Sequence, residues 1–191
     1  MSPGIQGAAG QSAFQAENET HSAEQIQMNM SRIELLQGMP VFGATSAETL
    51  ALLLDGSRSV TVAEGDYFFR RDDQAESFFV IEQGRVEILR EHEQQFFCLN
   101  ELARGDCFGE MSVIECRNRN ASVRALSTCM AIEIALSTLH ALYRCDVEQY
   151  LLIQMNLSRE LSRRLREADR RLFAGMVAAS EDTRNDWWYS A

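Results

Sequence analysis

From Arg58 to Ala135 the chain alternates apolar and polar residues in short runs, broken at turn-forming residues. Val60 and Val62 precede Glu64-Gly65-Asp66, and Tyr67 to Arg70 runs up to Asp72-Asp73. Phe78 to Ile81 is apolar on both faces. Gln83-Gly84 then turns the chain into Val86 and Ile88, and Phe96 to Leu102 forms the next run before Gly105. Ser122 to Leu126 and Met130 to Ala135 are the last two. A period of two with turn signals roughly every ten residues predicts seven or eight short strands in a sandwich or jelly-roll barrel.

Helical spacing brackets this region. Ile33, Leu35 and Leu36 share a face of a helix that Pro40 should stop. Leu50, Leu53 and Leu54 make the stripe of a second helix, capped from Thr45 or Ser46 and ended by Gly56. Leu136 to Tyr143 predicts a short helix, and Val147 opens a long one reaching about Phe173. Its stripe is Ile153, Leu157, Leu161, Leu165, Ala168 and Leu172. The other face mixes six arginines, from Arg159 to Arg171, with Glu160, Glu167 and Asp169, a pattern that predicts a solvated surface. The class is therefore α+β. A disordered arm over 1–30 precedes a folded domain over 31–175, which includes the long helix 147–173. An acidic tail over 176–191 carries Trp187 and Trp188, suited to folding back or to anchoring a partner.

Composition narrows the function classes. An apolar fraction of 46% supports a packed core. The net charge is −10, and every one of the basic residues is arginine, so a general field for gripping nucleic acid is not expected. Five cysteines with no CxxC pair read as reduced thiols of a cytoplasmic protein. No run approaches the ~20 apolar residues of a membrane span, and no signal-peptide pattern opens the chain.

The chemistry concentrates in Gly105 to Ala125. Gly109 permits close backbone approach at the mouth of a short helical segment, Glu110 to Glu115, whose first N–H groups are free to meet an anion. Arg119 returns a charged, planar donor fork. Glu110 would repel a phosphate, so it fits only a ligand that also donates a hydroxyl. A small molecule with one phosphate and one free sugar hydroxyl answers both demands.

Phe-Gly-Glu-Met-Ser-Val-Ile (108–114), then four residues, then Arg-Asn-Ala-Ser-Val-Arg-Ala (119–125), resembles the phosphate-binding cassette of cyclic nucleotide-binding domains. That family includes the catabolite activator proteins and the regulatory subunits of cAMP-dependent protein kinase. The resemblance implies an eight-stranded antiparallel β-roll with N-terminal helices and a long C-terminal helix. It implies that Glu110 takes the ribose 2′-hydroxyl and Arg119 the cyclic phosphate. The backbone of Gly109, Glu110, Met111 and Ser112, with that of Asn120 and Ala121, would complete the cradle. Ile88 and Leu99 would touch the base, and Asp169 would accept from the amine of adenine, so cAMP is expected ahead of cGMP. Asn118 stands where many members have proline.

The resemblance further implies a sensor without catalytic activity or added cofactor, dimeric through its long helix and signalling to an unidentified effector protein. Replacing Arg119 with alanine is expected to weaken binding at least about tenfold while leaving the ligand-free melting temperature nearly unchanged. The alternative is a degenerate domain that serves as a nucleotide-independent interaction module. A metal-dependent cupin would need clustered histidines, whereas His21, His92 and His140 fall in the tail, a turn and a helix. A transcription factor would need a helix-turn-helix domain after the long helix, and too few residues follow it.

Overall fold

The computed structural model describes residues 27–185. Most of the N-terminal arm and the Trp187-Trp188 pair lie outside the described residues. Residues 27–37 form α1, so helix is present on the N-terminal side of residue 31, where folding was expected to begin. A 3-10 turn at Pro40–Phe42 follows, and then α2 at Ala47–Asp55. The Ser46 hydroxyl caps α2 by accepting from the Thr49 N–H at 3.1 Å.

Eight antiparallel strands follow: β1 (Arg58–Val62), β2 (Tyr67–Phe69), β3 (Ser77–Gln83), β4 (Arg85–His92), β5 (Gln95–Ala103), β6 (Cys107–Phe108), β7 (Ser122–Ala125) and β8 (Cys129–Ala135). They form two four-stranded sheets, β1-β8-β3-β6 and β2-β7-β4-β5. The two-residue β6 is too short for periodicity to reveal. Between β6 and β7 lies α3 (Glu110–Glu115), and α4 (Leu136–Cys145) and α5 (Val147–Asn185) close the chain.

β3 explains how two cores coexist. Its successive side chains point to opposite faces. Phe78 and Val80 go out to a helical layer with Leu36, Phe42, Leu50, Leu53, Leu139 and Ile153. Phe79 and Ile81 go into the roll with Val86, Phe108 and Val123. Both faces are buried, which is why the run reads as unbroken apolar sequence. Gly84 turns β3 into β4 at φ +87, where an added Cβ would lie 2.6 Å from the Thr128 carbonyl oxygen. That turn demands glycine twice over. Asp72 turns the chain at φ +70, the left-handed conformation that aspartate tolerates.

α5 departs from expectation in two ways. It runs on to Asn185 instead of stopping near Phe173, because Ala174, Met176 and Ala178 favour helix and one exposed Gly175 is too weak a breaker. Its stripe also divides. Ile153 and Leu157 are buried against the helical layer, whereas Leu165, Leu172, Phe173 and Met176 are 63–68% exposed.

Candidate functional site

α3 begins where the roll has no room for a side chain. Gly109 caps it at φ +83, and a Cβ there would meet Arg119 Nη1 at 2.6 Å. The absence of a side chain lets the Arg119 guanidinium lie beneath the turn. There Nη1 donates to the Gly109 carbonyl at 2.9 Å and Nη2 to the Ser77 carbonyl at 2.7 Å, with the Phe69 ring 4.0 Å from its charged carbon. Arg119 is only 3% exposed, and its Nε is buried with no hydrogen-bond partner. Burial lowers its pKa, opposed by the fields of Glu133, Asp73 and Glu110. Among the described residues it forms no ion pair, so a buried cation here retains free N–H groups.

Glu110 is the first residue of α3 and 2% exposed. Its Oε1 accepts from Arg164 Nη1 of α5 at 2.8 Å, and no other side chain donates to the carboxylate among the described residues. Burial raises the Glu110 pKa above the usual carboxylate value despite the facing arginine. Arg164 also donates through Nε to Glu160 at 2.9 Å and through Nη2 to the Cys107 carbonyl at 2.9 Å. Burial pulls its pKa down, but Glu110, Cys107 and Glu160 together raise it. Arg163 holds Glu160 from the other side, Nε to Oε2 at 2.9 Å, and with Arg164 keeps that carboxyl below its ordinary value against burial. Burial pushes the neighbouring Cys107 thiol up to about 12, so it stays neutral and unreactive.

Gly109, Glu110 and Arg164 help to wall a cavity of about 160 Å³ between the roll, α3 and α5. Of the sequence-predicted residues, Ile88, Gly109, Glu110, Met111, Ser112, Asn120 and Ala121 line it. Arg119 lies just behind this lining, its guanidinium bonded beneath the Gly109 turn. Leu99 lies elsewhere: Ile88 pairs with Asn100 and Leu89 with Cys98, which makes Leu99 the extra residue of a bulge, facing a neighbouring cleft. Asp169 is exposed and lines neither space, because α5 turns it away from the strands. The arginine face of α5 is not uniformly solvated either, since Arg164 is drawn inward by two carboxylates. Sequence reasoning passed over Arg164 and Asn100, and the bulge that orients Asn100 leaves no signature in the period-two pattern. Removal of Arg119 would also strand the Gly109 and Ser77 carbonyls, so its expected neutrality for the fold gives way to a stability cost.

The roll, the glycine-capped α3 and the buried arginine lie within one stretch of sequence that is similar to known proteins. Residues 59–146 match the profile of the family described as "Cyclic nucleotide-binding domain". That stretch of the chain is similar to the family. It is 30% identical over 139 residues to the cyclic AMP receptor protein of Thermus thermophilus, covering 70% of this chain and 61% of that one. It is 34% identical over 105 residues to cGMP-dependent protein kinase, isozyme 1, of Drosophila melanogaster, covering 53% of this chain and 14% of the kinase. The crystal structure of a cyclic nucleotide-binding domain from Methylobacillus flagellatus superposes with a TM-score of 0.69 at 19% identity, covering 77% of this chain and 83% of that one, and shows the shared fold. The chain thus spans under two thirds of the length of either curated relative. Among the described residues no helix is long and apolar enough to cross a membrane, and no histidine, cysteine or carboxylate cluster could hold a metal ion.

Proposed function

We propose that the domain binds a 3′,5′-cyclic nucleotide, cAMP in preference to cGMP, and passes the binding event to a partner through α5, without catalysis of its own. Arg119 carries this reading. A guanidinium buried without a carboxylate is costly unless an anion completes it. Here its fork is held by two carbonyls directly under the α3 turn, with donors to spare. The Glu110 oxygen left open by Arg164 supplies the acceptor for a ribose hydroxyl. Phosphate and hydroxyl are then recognised by two buried groups of opposite charge that do not pair with each other.

The same carboxylate links ligand to helix. Arg164 ties α5 to Glu110, so a ligand that engages Glu110 alters the contact that fixes α5. Differential affinity for two positions of the helix is what converts binding into a population shift. The exposed apolar half of α5 supports a homodimer as the assembly in which that shift is read, with an effector protein downstream.

Isothermal titration with cAMP and cGMP tests the reading, on the parent and on Arg119→Lys. Lysine keeps the charge but loses the fork, and charge-assisted bonds of this kind predict about a tenfold or greater loss of affinity. A cooperatively melting parent that gives no heat with either nucleotide would favour the nucleotide-independent interaction module.

A further inference from the structure

A cleft of about 350 Å³ opens between α4 and the start of α5, lined by Leu136, Leu139, His140, Tyr143 and Tyr150. Its rings meet edge-on: Tyr143 lies 5.3 Å from Tyr150 and 6.3 Å from His140, centre to centre. The rim beside it is apolar as well, with Tyr143, Val147, Leu151 and Met155 all 47–53% exposed. A concave aromatic surface of this kind suits a large, flat side chain with one polar N–H, for which the tyrosine hydroxyls and the His140 ring offer acceptors.

The chain carries such a group. Trp187 and Trp188 are its two tryptophans, and Trp187 follows the end of α5 at Asn185 by two residues. They cannot reach the cleft of their own chain. Tyr150 and Asn185 stand on one continuous helix, about 50 Å apart at its usual rise, whereas two extended residues span only about 7 Å.

A second copy removes the difficulty. Val147, Leu151 and Met155 fall on the same face of α5 as Leu165, Leu172, Phe173 and Met176, within an arc of about 100°. The exposed stripe of the distal half therefore continues back to the cleft. Parallel pairing of two such helices would leave each tail about 50 Å from either cleft. Antiparallel pairing centred midway between Leu165 and Met176 brings Asn185 of one copy level with Met155 of the other, about 7 Å along the axis from Tyr150. Trp187 and Trp188 then arrive at the cleft.

Resting on the homodimer proposed above, we infer that the two α5 helices pair antiparallel and that Trp187-Trp188 of each copy docks in the α4–α5 aromatic cleft of the other. Both clefts are filled across one two-fold axis, so the assembly closes at a dimer.

Intrinsic tryptophan fluorescence reports on this tail alone. The test measures sedimentation velocity, emission and acrylamide quenching over one dilution series of the full chain. The parent dimer should emit to the blue of free indole and be several-fold less quenchable, and dilution to monomer should abolish both differences. Tyr143→Ala trims an exposed wall of the cleft, so its tryptophans should be more quenchable and its dimer should dissociate at roughly tenfold higher concentration. Mixing that variant with a chain carrying Trp187→Phe and Trp188→Phe supplies an intact cleft without fluorescence, and quenching should fall back towards the parent value. A dimer whose tryptophans are as quenchable as free indole overturns the docking and points to parallel helices. Tryptophans that stay shielded in the diluted monomer or in Tyr143→Ala overturn it too, as does a mixture without recovery. A parent that is monomeric throughout overturns the homodimer itself, and this inference with it.

Discussion

Two glutamates meet the same arginine with opposite electrostatic consequences. Glu160 is held below its ordinary pKa by Arg163 and Arg164, so its unfolded form binds protons first. Its contribution is present at neutral pH and is lost as pH falls through its lowered folded value. Glu110 is shifted upward by burial, so its stability contribution is present below the ordinary carboxylate value and lost as pH rises through its raised one. Glu160→Gln should therefore lower Tm at pH 7 and flatten the acid limb of the melting profile. Glu110→Gln should hold or raise Tm at pH 7 and still weaken cyclic nucleotide binding, because the charge-assisted ribose bond is lost. Calorimetric melts from pH 4 to 8 separate the two, and a Glu110→Gln protein that melts lower than the parent at pH 7 would contradict this account. The sequence marked Glu110 and Arg119 because their order with Gly109 is local. It could not mark Arg164, whose partner is fifty-four residues away and whose neighbours look like any solvated helix face.

At the scale of elements, the strands were legible because alternation and turn residues are short-range signals. β3 read as apolar on both faces because it separates two cores. The bulge in the β4–β5 hairpin was not legible, and it displaced Leu99 in favour of Asn100. The end of α5 was misjudged because propensity past Gly175 still favours helix. α5 and α3 are joined chiefly through Arg164, which reaches Glu110 and the Cys107 carbonyl. Arg164→Ala should cut that tie while leaving Ile153 and Leu157 packed. Amide hydrogen exchange should then accelerate in α5 beyond Glu160, and added cyclic nucleotide should no longer change exchange there, although it still binds. Ligand-dependent protection of α5 of equal size in parent and variant would show that the coupling runs by another route.

For the molecule as a whole, the distal half of α5 poses a problem of stability. A helix without tertiary packing is marginal in water, since most helical stability in proteins comes from burying an apolar face. Leu165, Leu172, Phe173 and Met176 repeat at helical spacing and are 63–68% exposed, which leaves that face without a partner among the described residues. A second copy of α5 is suited to cover it, because the same stripe on both helices is self-complementary about a two-fold axis. The arginines and acids of the opposite face would remain in water and keep the pair soluble. Sedimentation velocity should accordingly show a dimer at micromolar concentration. Leu172→Glu combined with Phe173→Glu should give a monomer, because two carboxylates per chain would be driven into an apolar seam. Neither residue lines the nucleotide cavity, so the monomer should still bind ligand, and its α5 beyond Leu165 should lose helicity by circular dichroism. A parent that sediments as a monomer while the distal helix stays fully protected from exchange would overturn the dimer and require a different cover for the stripe.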